Sequence, residues 1–329
     1  MKLVYGPVPS RRLGRSLGVN TIPFKTCNYS CVYCQLGRTT QMTNQRRDFF
    51  PPEEILNEIT RVLEPEPETE RTRNELDFVT FVGEGEPTLC KSLGWLIRKT
   101  KELAEIPIAV DTNGSLLNRA DVRADLSQAD VVMPSLDAGT AETFRKINRP
   151  FRGIAFEAVV DGMERFRREY DGELWVEVML VKGLNDSEEE LEALKSRLKH
   201  IAPDRIYINV PIRPPAEPWA VPPDHEAIAL AHAMLSEVNV IMDITAEEMG
   251  EFSIEGFTNP EDAILAIIRR HPMREEQVIE TLKKFEAEAG AVHDSFMRLE
   301  KSGKIKKVEY RNKVFWLTIE EKRSGRSDE

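Results

Sequence analysis

The stretch LGVNTIPFKTCNYSCVYC, residues 17–34, joins a short β-branched run to a loop that holds three of the four cysteines. Residues 17–23 read as a strand, and Cys27, Cys31 and Cys34 follow where a parallel strand hands over to its loop. Working outward, similar short runs recur at residues 77–82, 107–111, 130–135, 174–181 and 205–210, with longer amphipathic stretches between them. Alternation of this kind predicts an α/β fold of six βα units around a parallel sheet.

Local signals define the helices. Residues 52–63 open with Pro52, Glu53 and Glu54, which suit a helix N-terminus and its dipole. Asn185, Asp186 and Ser187 precede an acidic helical run to His200, with Leu191, Leu194 and Leu198 on one face. The charged, Pro-rich residues 64–74 read as a solvated connector. Residues 211–223 hold six prolines and Trp219, a rigid loop that either covers a site or crosses the surface.

The rhythm changes after Asn259. Helical patterns at residues 260–270, 274–285 and 291–301 lead into strands at 304–310 and 314–317 joined by an Arg-Asn turn. Three helices and a two-stranded ribbon describe a C-terminal winged-helix domain. The expected division is residues 1–255 for the α/β domain, 256–319 for the winged helix and 320–329 for a flexible tail.

At 329 residues, with 41% hydrophobic and 31% charged side chains, a substantial core is expected. A net charge of −11 argues against a general nucleic-acid or membrane coat. No apolar run reaches the length of a membrane span and the N-terminus has no signal-peptide pattern, so a cytoplasmic location without membrane partners is expected.

Three cysteines within eight residues point to metal rather than a disulfide scaffold. Thiolates are preferred ligands of iron–sulfur clusters, and no fourth cysteine follows shortly, so one iron lacks a protein ligand. The alternative is zinc, with Cys90 or a distant residue as fourth ligand. All five histidines lie at or beyond His200 and Cys90 forms no second cysteine pair, which weighs against zinc.

Cys-x3-Cys-x-aromatic-Cys, with Tyr33 as the aromatic, resembles the signature of the radical S-adenosylmethionine (SAM) superfamily. The resemblance implies a partial six-unit (β/α) barrel, a [4Fe-4S] cluster on Cys27, Cys31 and Cys34, and SAM chelating the open iron. It implies that Tyr33 lies near the adenine, a position also compatible with loop packing. Gly83-Glu84-Gly85-Glu86-Pro87 resembles the family motif that meets the amino end of SAM, with Glu84 departing from a small residue. Glycines permit close backbone approach there, and a carboxylate accepts from an ammonium.

Asp111 and Asn113, and Ser135 and Asp137, stand at two further strand ends, where barrel active sites collect. They are candidates for SAM or substrate, with helix capping as the competing role. Ser135-Leu136-Asp137-Ala138 and residues 180–185 resemble later motifs of the subgroup related to tRNA wyosine-synthesising enzymes. Lysine Schiff-base chemistry in that subgroup makes Lys182 the catalytic candidate, against the reading of an exposed lysine at a strand exit.

The resemblance implies reductive SAM cleavage to a 5′-deoxyadenosyl radical that abstracts a substrate hydrogen. It also implies a reducing electron donor such as flavodoxin or ferredoxin. Two substrate readings stand: RNA, or a protein, peptide or small metabolite with the winged helix as docking module. Between Arg298 and Lys313 lie seven basic and two acidic residues, which suits an RNA or protein partner. The basic segment 7–15 reads as an anion contact or as surface charge. A non-catalytic redox regulator is the third alternative, opposed by the SAM-type motif.

Overall fold

The computed structural model describes residues 3–63, 76–239, 241–243, 261–262, 264–265, 268, 273–274, 289–311 and 313–319. The connector 64–74, the tail 320–329, the boundary at 255/256 and nearly all of the helix expected at 274–285 lie outside these residues. The chain divides into two compact units, Met1–Gly250 and Glu251–Glu329.

The first unit is built on an eight-stranded sheet in the order β1-β2-β5-β6-β7-β8-β9-β10. From β2 onward every neighbour is parallel: β2 (Gly14–Val19), β5 (Phe78–Phe81), β6 (Ile108–Thr112), β7 (Val131–Pro134), β8 (Glu173–Met179), β9 (Arg205–Asn209) and β10 (Ile241–Asp243). Six of these correspond to the predicted strands. The seventh, β10, exceeds the six-unit expectation, and β1 (Val4–Ser10) pairs antiparallel with β2, which makes the sheet mixed. Pro7 and Pro9 disguise β1 in the sequence, but an edge strand tolerates residues that cannot donate to a ladder.

The first parallel strand ends at Val19 and not at Pro23. Asn20 terminates it, its Oδ1 accepting from the N–H groups of Ile22 at 3.2 Å and Glu84 at 3.2 Å. A side-chain acceptor thereby replaces the ladder partner.

Strand alternation sorts the core. Leu17, Val79, Phe81, Val110, Val132 and Val176 lie in the main hydrophobic cluster together with the helices. Leu13, Ala109, Val131, Met133, Trp175 and Tyr207 form a second cluster from the alternate strand positions. Period-two placement delivers both.

Helices α1 (Pro52–Leu63), α2 (Leu93–Leu103), α3 (Ala120–Leu126), α4 (Ala141–Ile147), α5 (Phe156–Glu169), α6 (Glu188–Ile201) and α7 (His225–Leu235) follow the strands. In α1, Ile55, Ile59 and Leu63 are buried at four-residue spacing. In α6, Ser187 accepts from Glu190 N–H, three glutamates occupy the first turn, and Ala202 ends the helix in the left-handed conformation.

In the second unit, residues 261–262, 264–265 and 268 are helical, as is α8 (Ala289–Lys301). Its sheet has three strands in the order β11 (Met273–Arg274), β13 (Lys313–Thr318), β12 (Ile305–Tyr310). The predicted two-stranded ribbon is thus enlarged, because Arg274 pairs with Phe315 as a strand residue instead of opening a helix. Phe296 stacks on Trp316 at 4.9 Å between ring centroids to form the core of this unit.

Candidate active site

Cys27 lies in a two-residue strand, β3 (Thr26–Cys27), paired with β4 (Gln41–Met42), and Cys31 and Cys34 follow in the loop. Cys34 N–H donates to Cys31 O at 3.2 Å and Gly37 N–H to Cys34 O at 3.0 Å, so the last two cysteines lie on successive turns.

Nitrogen donors address the sulfurs. Cys27 Sγ accepts from Tyr29 N–H at 3.4 Å and from Asn113 Nδ2 at 3.6 Å. Cys31 Sγ accepts from Asn148 Nδ2 at 3.5 Å. Burial pushes the Cys27 thiol up to about 12, Glu86 adding to it and the N–H groups opposing it. Cys31 is driven well above the ordinary thiol value by burial and by Asp137. Cys34 is raised by burial, against the N–H groups of Leu36 and Gly37 and the charge of Lys25. Three desolvated thiols ringed by N–H donors are a donor set for a group that supplies the missing positive charge.

Among the described residues, no three His, Cys, Asp or Glu side chains converge on a single metal-ion position. An iron–sulfur cluster takes one thiolate per iron and needs the thiols spread around it, whereas zinc draws its ligands onto one point. Cys90 is elsewhere, 1% exposed in the main core, and its sulfur faces Asp48 Oδ1 at 3.7 Å.

The hydroxyl of Tyr29, 2% exposed, has no hydrogen-bond partner. Its electrostatic neighbours are Cys31, Glu86, Cys27 and Asp137, so it is lodged among the thiols and carboxylates of the site. An orphaned buried donor in that position fits a missing sulfur-rich group.

The two glycines of residues 83–87 serve the protein's own loops. A Cβ on Gly85 would stand 1.8 Å from Thr26 O, and one on Gly83 would stand 2.8 Å from Asn20 Oδ1. Only glycine lets the motif pack directly against the cysteine loop, where Thr26 and Gly85 form a bridge and Lys25 N–H donates to Glu84 O at 2.6 Å.

Glu86 is 2% exposed and accepts from Thr88 N–H at 3.0 Å, Thr112 Oγ1 at 2.6 Å and Asn113 N–H at 2.7 Å. It caps the short 3-10 turn that Pro87 opens and ties the end of β5 to the end of β6. Glu84 is equally buried.

Asp137 accepts from Tyr33 OH at 2.6 Å, Asn148 Nδ2 at 2.6 Å and Met179 N–H at 2.9 Å. Burial raises its carboxyl, and these three donors oppose the rise. Asn113 donates to Asn28 Oδ1 at 2.7 Å as well as to Cys27. Both residues therefore shape the cysteine loop, and helix capping falls to Thr140 at α4.

Ser135 is half-buried at the end of β7, bridged to Glu177. Asp111 faces Arg12 at 3.6 Å, and Arg12 also pairs with Glu177. Asn209 Nδ2 reaches Glu177 Oε2 at 3.4 Å. This polar layer lies at the same alternate strand positions as the Leu13–Tyr207 cluster, displaced toward the C-terminal ends of the strands. Arg12, from the segment read as an anion contact or as surface charge, is thus half-buried against two carboxylates of the chain itself.

Lys182 is not internal. Its side chain is 54% exposed and its ammonium stands 3.9 Å from Asp224, so it lacks the desolvation that activates a Schiff-base lysine.

The Pro-rich loop covers the cysteine loop. Glu217 N–H donates to Val32 O at 2.9 Å, Arg213 donates to Gln35 Oε1 at 2.7 Å, and Ala220 packs with Val32, Ile147 and Val181. Arg38 grips Glu217 with two bonds of 2.8 and 2.9 Å, and Arg149 adds a third contact. Sequence reasoning missed Glu217, Asn28 and Asn148; the one signal for Glu217 was its being the sole carboxylate among residues 211–223.

Comparison with known proteins agrees with this geometry. The radical SAM superfamily model matches residues 21–194. A UPF0026 protein of Methanocaldococcus jannaschii is 39% identical over 321 residues, covering 96% of each chain. Among solved structures, TYW1 with a lysine–pyruvate adduct bound superposes with a TM-score of 0.53 at 19% identity, over 68% of this chain and 74% of that one. Streptococcus suis SuiB bound to SAM gives 0.50 at 15% identity, over 68% and 49%. At these identities the solved structures speak for the fold. Among the described residues, no helix is long and apolar enough to cross a membrane. By the family match, by the full-length relative and by the cysteine loop itself, the chain is an enzyme of the radical SAM superfamily and a member of the UPF0026 family, with a [4Fe-4S] cluster and SAM as its cofactors.

Proposed function

We propose that Cys27, Cys31 and Cys34 hold the cluster, that SAM completes its fourth iron, and that the chain modifies an RNA substrate by hydrogen abstraction. The observation that carries the first part is the loop of three buried thiols, two addressed by asparagine donors, with Cys90 committed to the core. When bound, the cofactors supply one-electron cleavage of SAM to methionine and a 5′-deoxyadenosyl radical.

The chain's own residues do the rest. Glu84 is the carboxylate assigned to the SAM ammonium, because the oxygens of Glu86 are occupied by Thr88, Thr112 and Asn113. Tyr33, held by Asp137, fixes the side of the loop on which the adenine would lie. Asp111, Glu177, Asn209 and Arg12 form the polar wall that orients the substrate, and Ser135 stands at its rim. Lys182 has no assigned catalytic role.

The RNA reading rests on the wyosine-type motifs at residues 135–138 and 180–185 and on the basic ribbon of the second unit. We read that unit as a winged helix that recruits the substrate. On β12, Lys306 and Lys307 are exposed, and Lys307 lies 4.7 Å from the Trp316 ring centroid. Such an edge offers cations to phosphate and blunts strand pairing.

Anaerobic reconstitution followed by incubation with tRNA, small RNA and metabolite fractions tests the substrate. Stimulation of 5′-deoxyadenosine release by RNA is expected, and stimulation by metabolites alone refutes the RNA assignment. The Cys27/Cys31/Cys34→Ala variant should lose cluster absorbance and SAM cleavage, while Cys90→Ala retains both. Cluster loss in Cys90→Ala would overturn the ligand assignment.

A further inference from the structure

Within the Pro-rich loop, Glu217, Pro218, Trp219 and Ala220 form a turn that holds an indole out to solvent. Ala220 N–H donates to Glu217 O at 2.9 Å, and Pro218 fixes the first corner. Both ends of the turn are pinned to the cysteine loop. Glu217 N–H donates to Val32 O at 2.9 Å, and Ala220 is 0% exposed among Val32, Ile147 and Val181. Trp219, at the second corner, is 51% exposed. A large flat side chain on a turn held in this way offers contact area at little further entropic cost.

Guanidinium groups stand beside it. The Glu217 carboxylate, 5% exposed, binds Arg38 and Arg149, whose side chains are 69% and 39% exposed. Arg149 also lines a shallow cavity of about 550 Å³ together with Arg145, Arg152, Phe151 and Glu157. The carboxylates of this surface have partners: Glu157 accepts two bonds from Arg197 at 2.9 and 2.8 Å, and Glu142 meets Lys146 at 2.8 Å. Six cations, Arg38, Arg145, Lys146, Arg149, Arg152 and Arg197, thus outnumber Glu142, Glu157 and Glu217 two to one.

We infer that the turn and the cavity beside it dock a single-stranded segment of the RNA substrate, with one base stacked on Trp219 and the flanking phosphates on Arg149, Arg145 and Arg152. The inference rests on the RNA reading above and names the residues of the first unit that take hold of the strand. The turn lies beyond residues 21–194, which carry the superfamily match, so its ligand is sought in the substrate and not in the shared cofactors. Every base has a π face that an indole can meet, and a guanidinium matches phosphate with two parallel donors. Duplex RNA keeps its bases stacked on one another, so a single strand is selected. A protein partner fits less well. A specific protein interface covers about 800 Å² on each side around an apolar centre. Among the described residues of the first unit the exposed large hydrophobics are Met42, Trp219 and Leu230, which stand on three separate elements. One ring suffices for one base.

The test uses the reconstituted full-length protein and a fluorescein-labelled, unstructured RNA of ~8 nucleotides, with binding followed by anisotropy. Trp219→Ala should bind about tenfold more weakly with an unchanged salt dependence, because stacking releases no counterions. Trp219→Phe keeps an aromatic face and should stay within about threefold of the wild type. Arg145→Gln/Arg152→Gln should lower the slope of log affinity against log salt by about 1.4, the value for two phosphates of a single strand. Unlabelled RNA should quench the emission that distinguishes the wild type from Trp219→Phe. Equal affinity of the wild type and Trp219→Ala overturns the inference and leaves the RNA reading standing, as does a Trp219 emission that RNA does not change. Poly-glutamate that quenches Trp219 as RNA does gives the surface to a protein and overturns it too. A wild type that binds no RNA refutes the RNA reading itself, and the inference with it.

Discussion

Glu86 shows how a motif residue can be committed to the fold of its own site. Its buried carboxylate receives donors from the following turn and from the end of β6, so replacing an oxygen by an amide puts a donor against a donor. Glu86→Gln should therefore cost about 1–3 kcal/mol of stability, the penalty for an unsatisfied buried group. Glu84→Gln should weaken SAM binding about tenfold, as loss of a charge-assisted hydrogen bond does. Thermal unfolding and calorimetric SAM titration separate the two; the reverse pattern would exchange their roles. Tyr29→Phe removes an O–H that has no protein partner, so folding should be unaffected. Hydrogen bonds to cluster sulfur raise a reduction potential, so its loss should make the midpoint more negative in an EPR-monitored redox titration. An unchanged midpoint would place the hydroxyl away from the cluster. The cysteines were legible in the sequence because their spacing is local. Their asparagine partners were not, because Asn113 and Asn148 arrive from 86 and 117 residues away.

The Pro-rich loop, residues 211–223, is the element whose role changes most between sequence and structure. Proline content announces stiffness but not direction, and what directs this loop is one carboxylate meeting two arginines from distant segments. Hydrogen bonds from Arg38, then Arg149, hold the Glu217 carboxyl below its ordinary value. A depressed acid stabilises above the unfolded carboxylate value of about 4.3, and that contribution is lost as pH falls through the lower folded value. Hydrogen–deuterium exchange at neutral pH should thus be faster in residues 211–223 and 27–38 of Glu217→Gln than in wild type. The wild-type difference in Trp219 fluorescence, taken against Trp219→Phe, should titrate only below about pH 4. Exchange unaltered in the variant would mean that the apolar contacts of Val32, Ile147, Val181 and Ala220 suffice. The parallel strands and α1 and α6 were legible because period and capping are local properties. Strand β1 was not, since its two prolines suppress the pattern that its edge position tolerates. Nor was β11, whose two residues carry no period at all.

At the scale of the whole molecule, charge is distributed against the trend of the chain. Residues 24–47 and 145–153 of the first unit and the ribbon of the second carry net positive charge, and the rest of the chain carries the acidic excess. Under the proposed function the second unit contributes affinity for RNA and nothing to SAM cleavage. Its contribution should then be electrostatic and salt-dependent. Lys304 and Lys306 are suitable probes, being exposed, outside the aromatic core and on the β12 side of the sheet. Replacing both by Gln removes up to two phosphate contacts, which should lower the slope of log affinity against log salt by about 1.4–1.8. Bulk tRNA binding measured from 50 to 300 mM salt reads that slope directly. Cluster content and the slow cleavage of SAM without substrate should be the same in both proteins. A slope unchanged by the double substitution would remove RNA from the ribbon. Strong binding that is indifferent to salt in the wild type would indicate a partner held by apolar contact, and in that case exposed Val314 and Ile319 become the residues to substitute.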